Sequence, residues 1–235
     1  MDYSDAMPAS RTARTDTKKA LLLGVFAIAM GYVEAAVVVY LRRIHYPQGF
    51  AFPLNNAVLD RMFLVEPGRE LATIVMLSTI AILVGRRRLD RLGWFLFAFA
   101  VWDVFYYVWL KVLLNWPPSL LTWDILFLIP FPWAAPVLSP VLVAVSMAVW
   151  GLVLVRLERQ GRILRPRLGE WLLTALGALA MLGSYLSDYA AVAMRSSDRA
   201  SQVAAHVPSN YFWWLFALGL AMLWAAFLRN LSNHR

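Results

Sequence analysis

The chain has 235 residues, 61% hydrophobic and 15% charged, with a formal net charge of +8 and a mean hydropathy of +0.60. An ordinary soluble domain carries about 25% charged residues, so this composition excludes a water-soluble fold of this size. The absence of cysteine excludes disulfides, thiolate metal sites, iron–sulfur clusters and thiol catalysis.

The apolar residues form blocks of about 20, the length a helix needs to cross roughly 30 Å of hydrocarbon. They predict an all-α polytopic membrane protein with one six-helix transmembrane domain over residues 20–229. The spans fall at 20–41, 67–85, 92–114, 137–157, 169–192 and 211–228, with a disordered cytoplasmic tail at 1–19 and a short tail at 230–235.

Taken in order, residues 1–19 are polar, and Arg11, Arg14, Lys18 and Lys19 precede the first apolar block. That block is too long for the apolar region of a signal peptide and carries Glu34. A loop follows with Arg42, Arg43, His45, Asn55 and Asn56, in which Pro47 and Pro53 act as breakers and residues 57–65 read as a short interfacial helix. The purely apolar part of the second span, 71–85, is too short to cross, so that helix is expected to begin near Pro67 and to bring Arg69 and Glu70 to the membrane rim.

The third span carries Asp103, Tyr106, Tyr107 and Lys111. The next apolar run, 125–155, would be about 46 Å long as a single helix, too long for one crossing. Pro130, Pro132, Pro136 and Pro140 interrupt its first half, and each removes a backbone donor. The pattern predicts a short helix or re-entrant piece over 121–128, a bent segment at Pro130-Phe131-Pro132-Trp133, and only then the fourth helix. Asp188 lies near the end of the fifth span.

Lys and Arg residues set the expected orientation. With the N-terminus inside, the inner segments hold Arg86, Arg87, Arg88 and Arg91, the run from Arg156 to Arg167, and both basic ends of the chain; this positive-inside bias predicts cytoplasmic termini in an inner (plasma) membrane. The same clustering between apolar blocks assigns the net charge to topology and not to nucleic acid.

The polar residues within the spans then gather in the outer half: Glu34, Arg69, Glu70, Asp103, Tyr107, Lys111, Asp124 and Asp188 form the candidate polar site. Ionisable groups facing lipid cost about 2.5 kcal/mol or more, so they are expected to turn into the bundle. Asp103, Tyr107 and Lys111 follow at four-residue spacing on one helix face, and Lys111 either neutralises Asp103 or snorkels to the interface. Small residues at the same spacing, Ala27-Gly31-Ala35, Ala180-Ser184 and Ala217-Ala221-Ala225, predict close helix contacts. Trp109, Trp116, Trp123, Trp133, Trp213 and Trp214 fall near the outer rim and read as an aromatic belt.

No cofactor or metal is implied. The histidines lie outside the spans, no Glu-x-x-His pair occurs, and no glycine-rich phosphate loop or Gly-x-Ser-x-Gly elbow is present. No catalytic residue is identified. Three functions accord with a polar cavity opening outward: a small proton- or cation-coupled transporter or ligand-binding protein; a membrane enzyme acting on a lipid-like substrate at the outer leaflet; and an accessory subunit of a larger membrane complex. The expected partners are the lipid bilayer, a small-molecule or ion substrate, and a membrane-protein partner or further copies of the chain, with no nucleic acid.

Overall fold

The computed structural model describes residues 9–53, 65–127, 132–162, 164, 166–195 and 205–232, with the side chains of 9–15, 193 and 195 excepted. It holds six helices long and apolar enough to cross a membrane. They are α1 (Ala9–His45), α2 (Val65–Val84), α3 (Arg88–Leu114), α4 (Leu138–Arg159), α5 (Leu168–Arg195) and α6 (Trp213–Ser232). The protein is thus a multi-pass helical membrane protein.

Most helix limits lie within a few residues of the expected spans, and α1 is the exception. It starts inside the stretch read as a disordered tail and continues past Leu41 to His45. No Gly or Pro interrupts residues 9–23, and their Ala, Arg, Lys and Leu are strong helix formers. The expected interfacial helix at 57–65 lies outside the described residues except for Val65, which opens α2.

A second difference lies between α3 and α4. Where a short helix or re-entrant piece was expected, Trp123–Phe127 (β1) and Trp133–Pro136 (β2) pair as an antiparallel hairpin, with Trp123 opposite Pro136, Asp124 opposite Ala135, Ile125 opposite Ala134 and Phe127 opposite Trp133. Proline disfavours the α region for the residue before it, and the aromatic and β-branched side chains of β1 favour extended backbone. The bend expected at Pro130-Phe131-Pro132-Trp133 falls partly outside the described residues, since 130 and 131 are not among them. Unpaired strand edges are not tolerated against lipid; β2 is accordingly packed on α5 and α4, with Ala134 and Ala135 fully buried.

α3 is the hub, packing on α1, α2 and α4, while α5 and α6 form a separate pair that meets the rest through β2 and α4. Glycines set the closest crossings. A Cβ on Gly31 would stand 3.0 Å from the Trp102 carbonyl oxygen, as the Ala27-Gly31-Ala35 stripe predicts. At the α3–α4 crossing Gly93 and Gly151 face each other's carbonyl oxygens, and at the α5–α6 crossing Gly177 and Gly219 do the same. The expected stripe on α6 is not the contact: Ala217 and Ala221 are exposed and Gly219 is buried, because the packed face runs through Phe216, Gly219 and Ala226.

The end opposite the hairpin carries charged contacts of its own. Asp16 pairs with Arg159, Arg87 with Glu158, and Lys19 donates to the Val84 carbonyl at 2.5 Å. Asp90 and Glu170 lie in the first turns of α3 and α5 and accept from the backbone N–H groups of Arg86 and Arg167, at 3.0 and 2.7 Å, which satisfies helix-end donors. These acids serve helix termini and inter-helix pairing.

Because a side chain at Gly93 or Gly151 would meet backbone, Gly93→Leu or Gly151→Leu should lower stability by about 1–3 kcal/mol or more. Gly24, with open space around it, should accept Ala with an unchanged or raised melting temperature. Thermal unfolding of the purified protein in detergent reads both.

Candidate functional site

At the hairpin end of the bundle α1, α3 and α5 finish and α2, α4 and α6 start, so polar side chains from each can converge. Glu34 on α1 is the first. It lies beside the Ala27-Gly31-Ala35 face and accepts from Arg69 Nη1 and, at 3.3 Å, from Thr73 Oγ1. Arg69 also donates to Glu66, one turn before it, through Nε at 2.9 Å and through Nη2. A single guanidinium therefore joins α1 to α2 and bridges two carboxylates. Glu70 is buried one residue further along α2.

A second ion pair stands beside the first. Arg42, two turns beyond Glu34 on α1, reaches Asp124 of β1, with Nη2 to Oδ1 at 3.2 Å and side chains only 9% and 3% exposed. The Arg42 guanidinium lies over the Trp116 ring at 3.8 Å and the Phe50 ring at 4.4 Å. Such stacking holds a charge among desolvated aromatic faces. Its Nη1 is buried without a hydrogen-bond partner among the described residues. Burial pushes the Asp124 carboxyl above the usual carboxylate range, while Arg42, the backbone N–H of Ile125 and the Tyr107 hydroxyl hold it down.

α3 supplies the centre of the site. Asp103 feels the charge of Asp124, and Tyr106 lies in the combined field of Arg42, Arg69, Asp103 and Asp124. Tyr106 is thus the residue common to both ion pairs. Tyr107 is buried, with its ring 4.9 Å from that of Tyr106. Beyond them a hydroxyl cluster joins the helix pair: Ser184 and Tyr211 are 3.2 Å apart, and the Tyr185 ring stacks on Trp133 and Tyr211.

Of the residues expected at the site, Glu34, Arg69, Glu70, Asp103, Tyr107 and Asp124 come together. Lys111 stands apart: it is exposed and its ammonium donates to the carbonyls of Asn115 and Pro117, at 3.4 and 3.1 Å, covering the C-terminus of α3. Asp188 stands apart too, paired with His206 at 2.7 Å beside Tyr189.

Arg42, Glu66, Thr73 and Tyr106 are site residues that the sequence reading left out. Arg42 was hidden by ending the first span at Leu41, although it stands seven residues, two helical turns, beyond Ala35 on the buried face that carries Gly31 and Ala35. Glu66 and Thr73 stand three before and four after Arg69, the spacing of side chains that meet on a helix. The tryptophans depart from expectation in part, for Trp109 donates to the Ile28 carbonyl at 3.0 Å and Trp116 and Trp133 stack on Arg42 and Tyr185, while Trp213 and Trp214 are exposed.

Chemically, the site can take up protons or a positive charge, since its carboxylates outnumber its guanidiniums among the described residues. No group of three or more His, Asp or Glu side chains is arranged to hold a metal ion among those residues. Compared with protein-family models, with curated proteins and with solved structures, the chain matches none.

Removing one member of a buried ion pair strands the other at a cost of about 3–5 kcal/mol. Arg42→Met should therefore destabilise the protein strongly, and Arg42→Met with Asp124→Leu should recover most of the loss. The Asp124 carboxyl is already raised by burial, so loss of Arg42 raises it further and protonation relieves the stranded charge. The defect of Arg42→Met should then be small in acidic buffer and grow as the pH rises, measured by thermal unfolding at several pH values.

Proposed function

We propose that the protein is a small proton- or cation-coupled transporter or ligand-binding protein of the inner (plasma) membrane, with both termini cytoplasmic and the hairpin end facing outward. The distribution of Lys and Arg supports this orientation, because the segments at the opposite end carry the basic clusters.

One observation carries the reading: Glu34, Glu66, Glu70, Asp103 and Asp124, from three helices and the hairpin, converge around two guanidiniums, those of Arg42 and Arg69. Acids inside a membrane domain are expensive and mark ion and proton paths. An excess of carboxylate over cation at such a site is relieved by taking up protons or a cationic group. In this reading the hairpin and its flanking prolines form a re-entrant element, and non-helical backbone beside intramembrane acids is a recurring feature of transporter sites.

The reading is tested with protons as the probe. Proteoliposomes adsorbed on a solid-supported membrane are subjected to rapid pH jumps on the outward face. Wild-type protein should displace charge on each jump, and Asp103→Asn and Glu34→Gln should lose most of that signal. Wild-type traces indistinguishable from those of protein-free liposomes would rule the reading out.

A further inference from the structure

Two arginines hold the hairpin end together, and they are used differently. Arg69 engages Nε and both Nη nitrogens with Glu66 and Glu34. Arg42 reaches Asp124 through one contact, Nη2 to Oδ1 at 3.2 Å, longer than the roughly 2.7–2.9 Å of a charge-assisted hydrogen bond. A guanidinium and a carboxylate frequently mate through two parallel bonds. Here Nη1 of Arg42 and Oδ2 of Asp124 are both buried with no hydrogen-bond partner among the described residues. The ion pair is half-made, and its idle donor belongs to a buried cation.

The surroundings select what the idle arm takes. The rings of Trp116 and Phe50 lie against the guanidinium, with Phe52 beside Phe50, so a ligand meets charge at the guanidinium edge and apolar surface around it. The groups facing Asp124 are Arg42 of α1 and Asp103, Tyr106 and Tyr107 of α3, while β2 sets Ala135 opposite it. Arg42 is the cation among them, and one guanidinium balances one negative charge. A dianion such as phosphate would leave a charge unbalanced in a buried setting. A planar monocarboxylate matches both the fork and the charge. It competes with Asp124, because two ionised carboxylates do not share one guanidinium at close range; protonation of one relieves the conflict.

We infer that Arg42 binds a small monocarboxylate, which takes the place of the Asp124 carboxylate on the guanidinium when Asp124 is protonated. The proton comes from the outer water and stays on Asp124; the Asp124–Arg42 ion pair breaks and an Arg42–ligand ion pair forms. One proton and one monoanion thus enter together with no net change of charge. Without the ligand, Asp124 occupies the site as its stand-in and keeps the buried cation paired. Burial already holds the Asp124 carboxyl above the usual carboxylate range, which brings its protonation toward mildly acidic pH. The source of the proton rests on the proton-coupled reading proposed above; the fit of the ligand rests on the half-made pair itself.

The test uses trifluoroacetate, the anion of a strong acid, which stays ionised across the working pH range, so that any pH dependence of its binding comes from the protein. Its fluorine NMR signal is followed with the full chain in phosphatidylcholine nanodiscs, and empty nanodiscs serve as background. Saturable line broadening is expected, competed by acetate, with binding roughly tenfold or more tighter at about pH 5 than at about pH 8, as for a ligand linked to one proton. Asp124→Asn removes the competing charge and keeps its shape; it should bind in alkaline buffer as tightly as the wild type does in acidic buffer, and lose the pH dependence. Arg42→Met with Asp124→Leu, the pair expected to recover stability, should not bind. Wild-type affinity equal in both buffers, a pH dependence that survives Asp124→Asn, or inorganic phosphate competing as well as acetate would overturn the inference. The first and third of these are measured on the wild-type protein, so the result stands even if a variant fails to fold. Should binding be absent while Asp103-dependent pH-jump currents persist, only the Arg42 site falls; absent currents with intact Asp124-dependent binding would overturn the coupled-transport reading and leave the site.

Discussion

Arg69 is the residue on which the hairpin end depends, because its guanidinium supplies the positive charge shared by Glu34 on α1 and Glu66 on its own helix. Each acid by itself would be a costly charge in a membrane domain. Bridged by a planar fork with several fixed donors, they become a joint between helices. Thr73, one turn further along, has its hydroxyl 3.3 Å from Glu34 and 3.1 Å from the Arg69 carbonyl, so its single proton is shared between the neighbouring helix and its own. The orientation of α2 in turn buries Glu70 and leaves Leu71 exposed.

The same logic explains why a β-hairpin is tolerated in a helical membrane protein. Its strands are short, β2 is covered by α4 and α5, and backbone donors just past β2 are taken up by the preceding loop, with Val137 N–H to the Thr122 carbonyl at 3.0 Å and Leu138 N–H to the Leu120 carbonyl at 2.7 Å. Asp124 is anchored from the other side by Arg42, so the hairpin is fastened to α1 by charge and to α5 by packing. Tyr189, fully buried among Phe50, Phe52, Trp123, Ile125 and Ala134, extends that packing to the loop after α1.

How far this was legible in the chain depends on the kind of signal. Long apolar blocks are read directly, because the bilayer demands length and composition together; six helices follow from them. The acids of the site are also legible, since a carboxylate within an apolar block has few places to go. Arg42 and Tyr106 were not, because a residue just past an apolar block looks like loop and a tyrosine near the rim looks like belt. The hairpin escaped because short apolar runs do not distinguish strand from helix by periodicity alone, and the prolines that favoured extended backbone were read as breaks in a helix. Gly93, Gly151, Gly177 and Gly219 lie in no small-residue stripe at four-residue spacing; their role depends on the partner helix, which one sequence does not display.

The arrangement of contacts also divides the helices into two groups. α1 to α4 are locked together by the Gly31 and Gly93–Gly151 crossings and by ion pairs at both ends. α5 and α6 are locked to each other at Gly177–Gly219 and meet the remaining helices chiefly through β2 and the rim of α4. The hydroxyl cluster of Ser184, Tyr185 and Tyr211 lies on this junction, with Tyr185 stacked on Trp133 of the hairpin and within the field of Asp103. Tyr185 of α5 thus joins the helix pair to Trp133 of the hairpin. A proton- or cation-driven carrier, the reading proposed above, needs a change of charge in the site that favours one placement of a pair of helices over another, and the α5–α6 pair is the part of this bundle with the fewest contacts to the rest.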